Sequence, residues 1–182
     1  MYVTSGHDTE IRLTLEAAVA FLNASTENDL DARALLGTYG FLRAEKAPQA
    51  AISRLEKRMH ALLPKFLSLP GADADDTSAW VNAELTQIDI EPSLTVHDDA
   101  PLHIHWTPAS AAFDDQVIAD ILMALAQEVC DHGTNRFGVC AATDCEHLFY
   151  DSTRNGSRRF CTDTRCASRT HTADHRARKR IS

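Results

Sequence analysis

Apolar residues recur at three- and four-residue steps through most of the first 130 positions, and this period predicts a mainly helical segment. The predicted helices span residues 9–24, 48–66, 80–88 and 111–131, with short helices around Leu30–Leu36 and through Phe41. The stripe expected to be buried in the last long helix is Val117, Ile121, Leu122, Leu125 and Val129. Cys130 follows this stripe, and we expect it to be a buried thiol.

Polar residues mark the expected ends of these helices. The first helix closes in the polar turn Asn23-Ala24-Ser25, where Asn23 is best explained as a cap of the helix end. Residues 69–78 contain Pro, Gly and several Asp, which predicts a loop. The run His132-Gly133-Thr134-Asn135 predicts the end of the last long helix and a linker. We therefore expect a domain boundary near residue 135.

Residues 93–97 and 102–107 alternate with a period of two, which predicts two antiparallel strands joined by a turn at Asp98-Asp99. His103 and His105 then share one face of the second strand. Two imidazoles at this spacing could bind a metal, but no third ligand is evident nearby in the sequence. A solvated or lightly packed strand face is the favoured interpretation, and a bound anionic small molecule stays open.

Four of the five cysteines lie near the end of the chain in two pairs of equal spacing. Four residues separate Cys140 from Cys145, fifteen residues follow, and four residues again separate Cys161 from Cys166. Four thiolates at the ends of two short loops can close a tetrahedron around one structural Zn²⁺ ion. A rubredoxin-like iron site and plain disulfides are the alternatives. A catalytic zinc is disfavoured because four protein thiolates leave no open position for water.

The residues around the second pair predict a hairpin followed by a helix. His147–Tyr150 is strand-like, Asn155-Gly156 favours a tight turn, and Arg158–Phe160 would return as the second strand. Thr162-Asp163 offers an N-cap for a helix from Thr164 to about Arg178. A knuckle, a hairpin and a helix that donates the last ligand form a treble-clef arrangement. The helix side expected to pack on the hairpin contains Cys166, Thr170, Ala173 and Ala177.

A stripe of basic residues lies beside that packing side of the predicted helix. The residues predicted to contact nucleic acid are Arg158, Arg159, Arg165, Arg169, Arg176, Arg178, Lys179 and Arg180. Residues 136–182 carry 10 Lys+Arg against 5 Asp+Glu, or +5, whereas residues 1–135 carry 8 against 21, or −13. The formal net charge of −8 therefore hides a basic tail on an acidic body. Such a patch can attract phosphates locally, although the acidic body opposes it at long range.

The C-terminal motifs resemble those of the CGNR zinc-finger family. They are the cysteine pair 140 and 145, Phe149-Tyr150-Asp151, Ser157-Arg158-Arg159-Phe160-Cys161, Cys166-Ala167-Ser168-Arg169 and His175-Arg176-Ala177-Arg178. The signature Cys-Gly-Asn-Arg reads here Cys166-Ala167-Ser168-Arg169, and the change to Ala suits a helix. The resemblance implies an α+β chain. A mostly helical ABATE-like domain with a small antiparallel sheet (1–135) would precede a treble-clef-like zinc finger (136–182).

The first residues show no basic segment followed by an apolar run, and no stretch reaches the length of a membrane span. We therefore predict a cytoplasmic protein with no membrane partner, where paired cysteines favour a metal over disulfides. The resemblance implies a stress-related transcription regulator that binds DNA. A homodimer and a small-molecule effector of the N-terminal domain are compatible with that function.

Two other functions stay open at this point. The zinc module could be a protein–protein interaction module whose basic stripe docks on an acidic partner. A treble-clef nuclease would use residues such as His171, Asp174 and His175. However, no histidine follows the predicted hairpin in the position of a catalytic base, and no carboxylate cluster for a second metal is visible. We therefore predict that the protein is not an enzyme.

Overall fold

The computed structural model describes residues 6–27, 30–96 and 102–181, with only the backbone described at residues 6, 7, 177, 180 and 181. The helices are α1 (Gly6–Glu27), α2 (Ala32–Thr38), α3 (Gln49–Ser68), α4 (Ala74–Leu85), α5 (Phe113–His132) and α6 (Thr164–Ile181). The strands are β1 (Ser93–Thr95), β2 (His103–His105), β3 (Phe137–Val139) and β4 (Leu148–Tyr150), and a 3₁₀ turn spans Leu42–Ala44. The predicted α+β fold, mostly helical with small antiparallel sheets, is confirmed. No helix in these described ranges is long and apolar enough to cross a membrane.

Helix α5 lies at the centre of the molecule, packed against α1, α3 and α4. Its predicted stripe is confirmed, because the five apolar residues from Val117 to Val129 are all buried. The surrounding helices add Leu15, Leu55 and Phe66, each with no exposed surface. Gly133 ends α5 with φ of 63°, a conformation that glycine adopts at no steric cost, and its N–H donates to the carbonyl of Val129.

Two predictions in this part of the chain are wrong. Helix α4 begins at Ala74, inside the segment predicted to be a loop, because the Asp73 side chain accepts the backbone N–H groups of Asp75 and Asp76. Of the Asp residues interpreted as loop markers, Asp73 is the N-cap of α4, and Asp75 and Asp76 lie in its first turn, where negative charge stabilises a helix. Cys130 is exposed rather than buried, since the last turn of α5 presents this position to solvent.

Strands β1 and β2 form the first antiparallel sheet, with Ser93 opposite His105 and Thr95 opposite His103. The centres of both predicted strands are confirmed. The predicted turn at Asp98-Asp99 and the strand end at His97 lie outside the described residues. His103 and His105 share a face as expected, with their Nε2 atoms 3.1 Å apart.

Strands β3 and β4 form the second antiparallel sheet, with Gly138 opposite Phe149. The prediction that residues 147–150 pair with residues 158–160 is therefore wrong, because the partner strand precedes the first cysteine. A glycine suits position 138, since a Cβ there would clash with the ring of Phe149 and the buried ring would have to move. A turn forms one residue earlier than predicted, from Thr153 to Gly156, where the Gly156 N–H donates to the carbonyl of Thr153 at 3.3 Å and Gly156 has φ of 55°, but it joins no hairpin.

The second sheet packs on α1 through a pair of long-range hydrogen bonds. The Asn23 side chain donates from Nδ2 to the carbonyl of Leu148 at 2.9 Å and accepts the Leu148 N–H at 2.9 Å. Asn23 is therefore not a helix cap, and α1 continues beyond it to Glu27. Phe137, Leu148 and Tyr150 are buried in the same apolar cluster as the helices.

Candidate metal centre

Four thiols meet at the end of the β3–β4 hairpin. The Sγ atoms of Cys140, Cys145, Cys161 and Cys166 all lie within 4.8 Å of one another. The Sγ of Cys161 is 3.8 Å from that of Cys145 and 3.8 Å from that of Cys166. Four ligands at the Zn–S distance of about 2.3 Å would place their sulfurs about 3.8 Å apart at the corners of a tetrahedron. The donor set and its spacing therefore fit one zinc ion.

The hairpin positions the first two ligands. Cys140 directly follows β3, and its N–H donates to the carbonyl of His147 at 2.9 Å, which extends the β3–β4 pairing into the connecting loop. The chain then makes a tight turn in which the N–H of Cys145 donates to the carbonyl of Ala142 at 3.2 Å. We call residues 140–145 the knuckle. Cys140 is buried and Cys145 is half-buried, so the centre reaches solvent on the side of Cys145.

Asp151 positions the third ligand by holding the loop that leads to Cys161. Its carboxylate accepts the N–H of Thr153 at 2.9 Å, the hydroxyl of Thr153 at 2.6 Å and the N–H of Arg158 at 2.6 Å. Burial alone would raise the pKa of Asp151, but these hydrogen bonds outweigh it and lower the pKa. The loop then contacts the knuckle, because the N–H of Ala141 donates to the carbonyl of Arg159 at 2.8 Å.

The first turn of α6 positions the fourth ligand. The N–H of Cys166 donates to the carbonyl of Asp163 at 3.0 Å, and the carboxylate of Asp163 accepts the N–H of Arg165 at 2.9 Å. The predicted N-cap at Thr162-Asp163 is thus confirmed. Hydrogen bonds from Arg165 lower the pKa of Asp163 to about 2. Cys166 is the most deeply buried ligand, with 1% of its surface exposed.

Burial opposes ionisation at two of the four thiols, and hydrogen bonds favour it at another. Burial is the main cause that raises the pKa of Cys161 to about 12 and the pKa of Cys166 to about 11. At Cys140 burial is outweighed by hydrogen bonds, those from the backbone of Cys161 and Ala142 first, and the pKa is lowered. A zinc ion binds thiolates, so its entry must release the protons that the free thiols hold.

One charged side chain reaches the ligands from outside the cluster. The Nη2 of Arg169 lies 3.4 Å from the Sγ of Cys166 and 3.1 Å from Oδ1 of Asp144 in the knuckle. Arg169 follows Cys166 by three positions and therefore lies on the same face of α6. Asp144 and Asp151 were missed as site residues, because nothing in their local sequence reveals the partner that each one binds.

The other predicted nucleic-acid contacts have different surroundings. Arg158 is half-buried and donates from Nη1 to the carbonyl of Tyr150 at 3.0 Å. Arg159 is exposed, with its guanidinium carbon 5.7 Å from the centre of the Phe160 ring. Arg165 pairs with Asp163 at 2.9 Å.

Beyond Thr170 the described side chains of α6 are all exposed. Arg176, Arg178 and Lys179 lie in this exposed part, while the side chain of Arg180 lies outside the described residues. Ala173 is exposed too, so the prediction that it packs on the hairpin is wrong. The side chain of Ala177 is not described. Helix α6 is therefore attached to the molecule by its first turns and extends away from it.

Comparison with known proteins agrees with this geometry. The family model described as CGNR zinc finger matches residues 136–179, a segment that contains all four clustered cysteines. No curated protein matches the chain. The donor set, the sulfur spacing and the family match together show that the cysteine cluster is a zinc-binding site in a CGNR zinc finger.

Proposed function

We propose that the zinc finger binds DNA through α6 and that the protein is a transcription regulator. The observation that carries the proposal is the exposed basic helix α6, whose first turn contains the zinc ligand Cys166. Its sequence contains six basic residues, Arg165, Arg169, Arg176, Arg178, Lys179 and Arg180, against one acidic residue, Asp174. A basic helix that extends from a rigid centre is a shape that enters the major groove of DNA.

Zinc would act by fixing the start of this helix. Most of the stability of a protein helix comes from packing, and α6 has little of it: the described side chains beyond Thr170 are exposed, although the ring of His171 contacts that of Phe160 with centres 5.7 Å apart. The metal holds Cys166 against the knuckle and so provides the first turn from which the helix can propagate. Eighteen residues span about 27 Å at 1.5 Å per residue, enough to follow several base pairs.

The ion pairs near the start of α6 do not prevent phosphate binding. Arg165 pairs with Asp163 and Arg169 pairs with Asp144, and the Arg165 side chain is 79% exposed. Ion pairs at the surface contribute little to stability, so a phosphate can replace the carboxylate at small cost. Arg176 and Lys179 lie further along the exposed part and need no such exchange with the acids at the start of the helix.

The proposal extends to the rest of the chain through the resemblance to stress-related regulators. The acidic N-terminal part would sense a signal or hold two copies together. A single zinc finger offers a small interface, so two copies on one site would supply the area that specific recognition needs. Four thiolates fill the coordination shell of zinc, and we accordingly propose a structural role for the metal and no catalysis.

The test is fluorescence anisotropy of the zinc-loaded protein on random and own-promoter duplexes across a range of salt concentrations. We expect binding that weakens steeply with salt, with a preference for the promoter. Replacing both Arg176 and Lys179 by Ala should reduce the log–log salt slope by about 0.9 for each phosphate that the variant no longer binds. These residues lie away from the thiols, so the metal should stay bound.

The matched control replaces Lys57 and Lys65 on α3 by Ala, which removes the same charge from exposed positions of the body. It should leave the slope unchanged. Equal effects of the two double variants, or a flat baseline for zinc-loaded protein at every salt concentration, would contradict DNA binding by α6.

A zinc-stabilised protein-interaction module is the second candidate. The observation in its favour is that Arg165 and Arg169 already bind carboxylates of this chain. The same surface would accept an acidic segment of a partner protein. Absence of DNA binding, combined with capture of a defined acidic partner that the Arg176 and Lys179 variant fails to capture, would favour this function.

A further inference from the structure

Arg169 occupies an unusual position between two parts of the zinc finger. Its Nη2 reaches Cys166, the ligand on α6, at 3.4 Å from Sγ. The same nitrogen lies 3.1 Å from Oδ1 of Asp144, which stands between the two cysteines of the knuckle. One guanidinium therefore connects the ligand contributed by the helix with the loop that contributes Cys140 and Cys145.

The chemistry of the centre makes a cation at this place useful. Four thiolates around Zn²⁺ leave a net charge of −2, and Cys166 carries its share with almost no contact with water. A buried anion is costly unless it is paired or hydrogen-bonded. A guanidinium carries a permanent positive charge and forms charge-assisted hydrogen bonds. It can therefore both pair with the buried thiolate and hydrogen-bond it.

We propose that Arg169 is a positioning residue of the zinc centre: it stabilises the Cys166 thiolate through an N–H···S hydrogen bond and fastens α6 to the knuckle through Asp144. The ion pair with Asp144 is exposed, with 46% and 59% of the two side chains accessible, so by itself it contributes little. The ion pair instead orients the guanidinium of Arg169 towards the sulfur of Cys166. The inference concerns zinc retention and does not depend on DNA binding.

The test compares Arg169→Ala, Arg169→Gln and Arg169→Lys for zinc affinity, measured by competition with a chromophoric chelator. Loss of a partner that hydrogen-bonds a metal ligand typically reduces metal affinity about 10- to 100-fold, and we expect Arg169→Ala to fall in this range. Arg169→Lys keeps the positive charge and should recover part of the loss. Arg169→Gln keeps a donor without the charge and should lie between Ala and Lys.

A spectroscopic measurement distinguishes stabilisation of the Cys166 thiolate by Arg169 from a role in which Arg169 only fastens α6 to the knuckle. In the cobalt-substituted protein, the energy of the sulfur-to-cobalt charge-transfer band reports how strongly the coordinated thiolates are stabilised. Removing the N–H donor raises the energy of the sulfur lone pairs, so the band of Arg169→Ala should move to longer wavelength. The band of Arg169→Lys should return towards that of the unmodified protein.

Arg176→Ala is the matched control, since it removes the same charge from α6 about two turns beyond Arg169 and further from the thiols. It should change neither the chelator competition nor the band. Asp144→Asn is a milder variant that keeps Arg169, and it should weaken zinc binding less than Arg169→Ala does. Unchanged zinc affinity and band position in Arg169→Gln and Arg169→Ala, or equal changes in Arg176→Ala, would overturn the proposal.

Discussion

Asp120 shows how one carboxyl group can make the stability of the protein depend on pH. It lies half-buried on α5, and Glu10 of α1 is the acidic group that acts on it. Burial, and after it the charge of Glu10, raises the pKa of Asp120 to about 7 from an ordinary value of 3.8. The folded protein therefore holds a proton on this group at pH values where the unfolded chain has released it.

The direction of the pH effect follows from proton linkage. Between about pH 4 and pH 7 the native state binds more protons at Asp120 than the unfolded state, so this group lowers stability as pH rises through that window. Asp120→Asn has no ionisable group, and we expect it to raise the melting temperature at pH 8 and to flatten the change between pH 6 and pH 8. Thermal unfolding of the zinc-loaded protein at both pH values measures this.

The exposed Asp131 on the same helix provides the control. Between pH 6 and pH 8, the melting temperature of Asp131→Asn should change by the same amount as that of the unmodified protein. A pH dependence in Asp120→Asn equal to that of the unmodified protein would show that Asp120 ionises normally.

The elements of the zinc finger show where sequence patterns succeed and where they fail. The start of α6 was predictable because its signal is local: Asp163 caps the next turn of the same chain. The partner of β4 was not predictable from turn signals. Gly138 lies in the middle of β3, and a glycine inside a short apolar run weakens the sequence signal for a strand. Only the contact with the Phe149 ring reveals why a strand has glycine there.

Helix α6 should be the element most sensitive to zinc removal. The part beyond Thr170 is exposed, and its first turn is fixed by Cys166. We expect chelation of the metal to melt α6, because a helix without packing or a fixed start is marginal. Hydrogen exchange followed by mass spectrometry should show rapid exchange of amides 167–179 after chelation, while the buried amides of α5 stay protected. Persistent protection of α6 in the metal-free protein would contradict the dependence on zinc.

At the scale of the whole molecule, the second sheet joins the zinc finger to the helical body. Phe137 contacts Phe66 of α3, with ring centres 6.5 Å apart, and the hydroxyl of Tyr150 donates to Glu128 of α5 at 2.7 Å. Residues on both sides of position 135 therefore share one apolar cluster. The boundary near residue 135 stays a prediction about sequence organisation, and the packing across it is extensive.

Tyr150→Phe tests this connection. Glu128 is buried, and its Oε1 lies 3.1 Å from Nδ1 of His132 and 3.4 Å from Nε of Arg136. Loss of the tyrosine hydroxyl leaves the other carboxylate oxygen without its donor, and hydrogen bonds to charged groups contribute about 1.5–3 kcal/mol. We expect the free energy of unfolding of the zinc-loaded protein to fall by about that amount in urea.

Tyr39→Phe is the control for the loss of a hydroxyl group. Within the part of the chain that the structure describes, no hydrogen bond of the half-buried Tyr39 hydroxyl is observed. This variant should unfold at nearly the same urea concentration as the unmodified protein. An equally small effect of Tyr150→Phe would mean that water replaces the missing donor to Glu128.

The distance along the chain between interacting residues explains which features of the fold and of the zinc site could be predicted from the sequence. The paired cysteines and the apolar residues of α5 recur at short intervals along the chain, so both patterns can be recognised in a single sequence. Asn23 and Leu148 lie 125 positions apart, and each is an ordinary residue in its own surroundings. Their contact exists only after the helices and the hairpin have folded together.

That contact between Asn23 and Leu148 also protects an exposed strand edge. A two-stranded ribbon leaves the outer N–H and carbonyl groups of each strand able to pair with another chain. On β4 three such groups of Leu148 and Tyr150 are occupied: Asn23 satisfies both groups of Leu148, and Arg158 donates to the carbonyl of Tyr150. Two side chains thus stand in for a third strand, and β4 offers no template there for aggregation through intermolecular β-pairing.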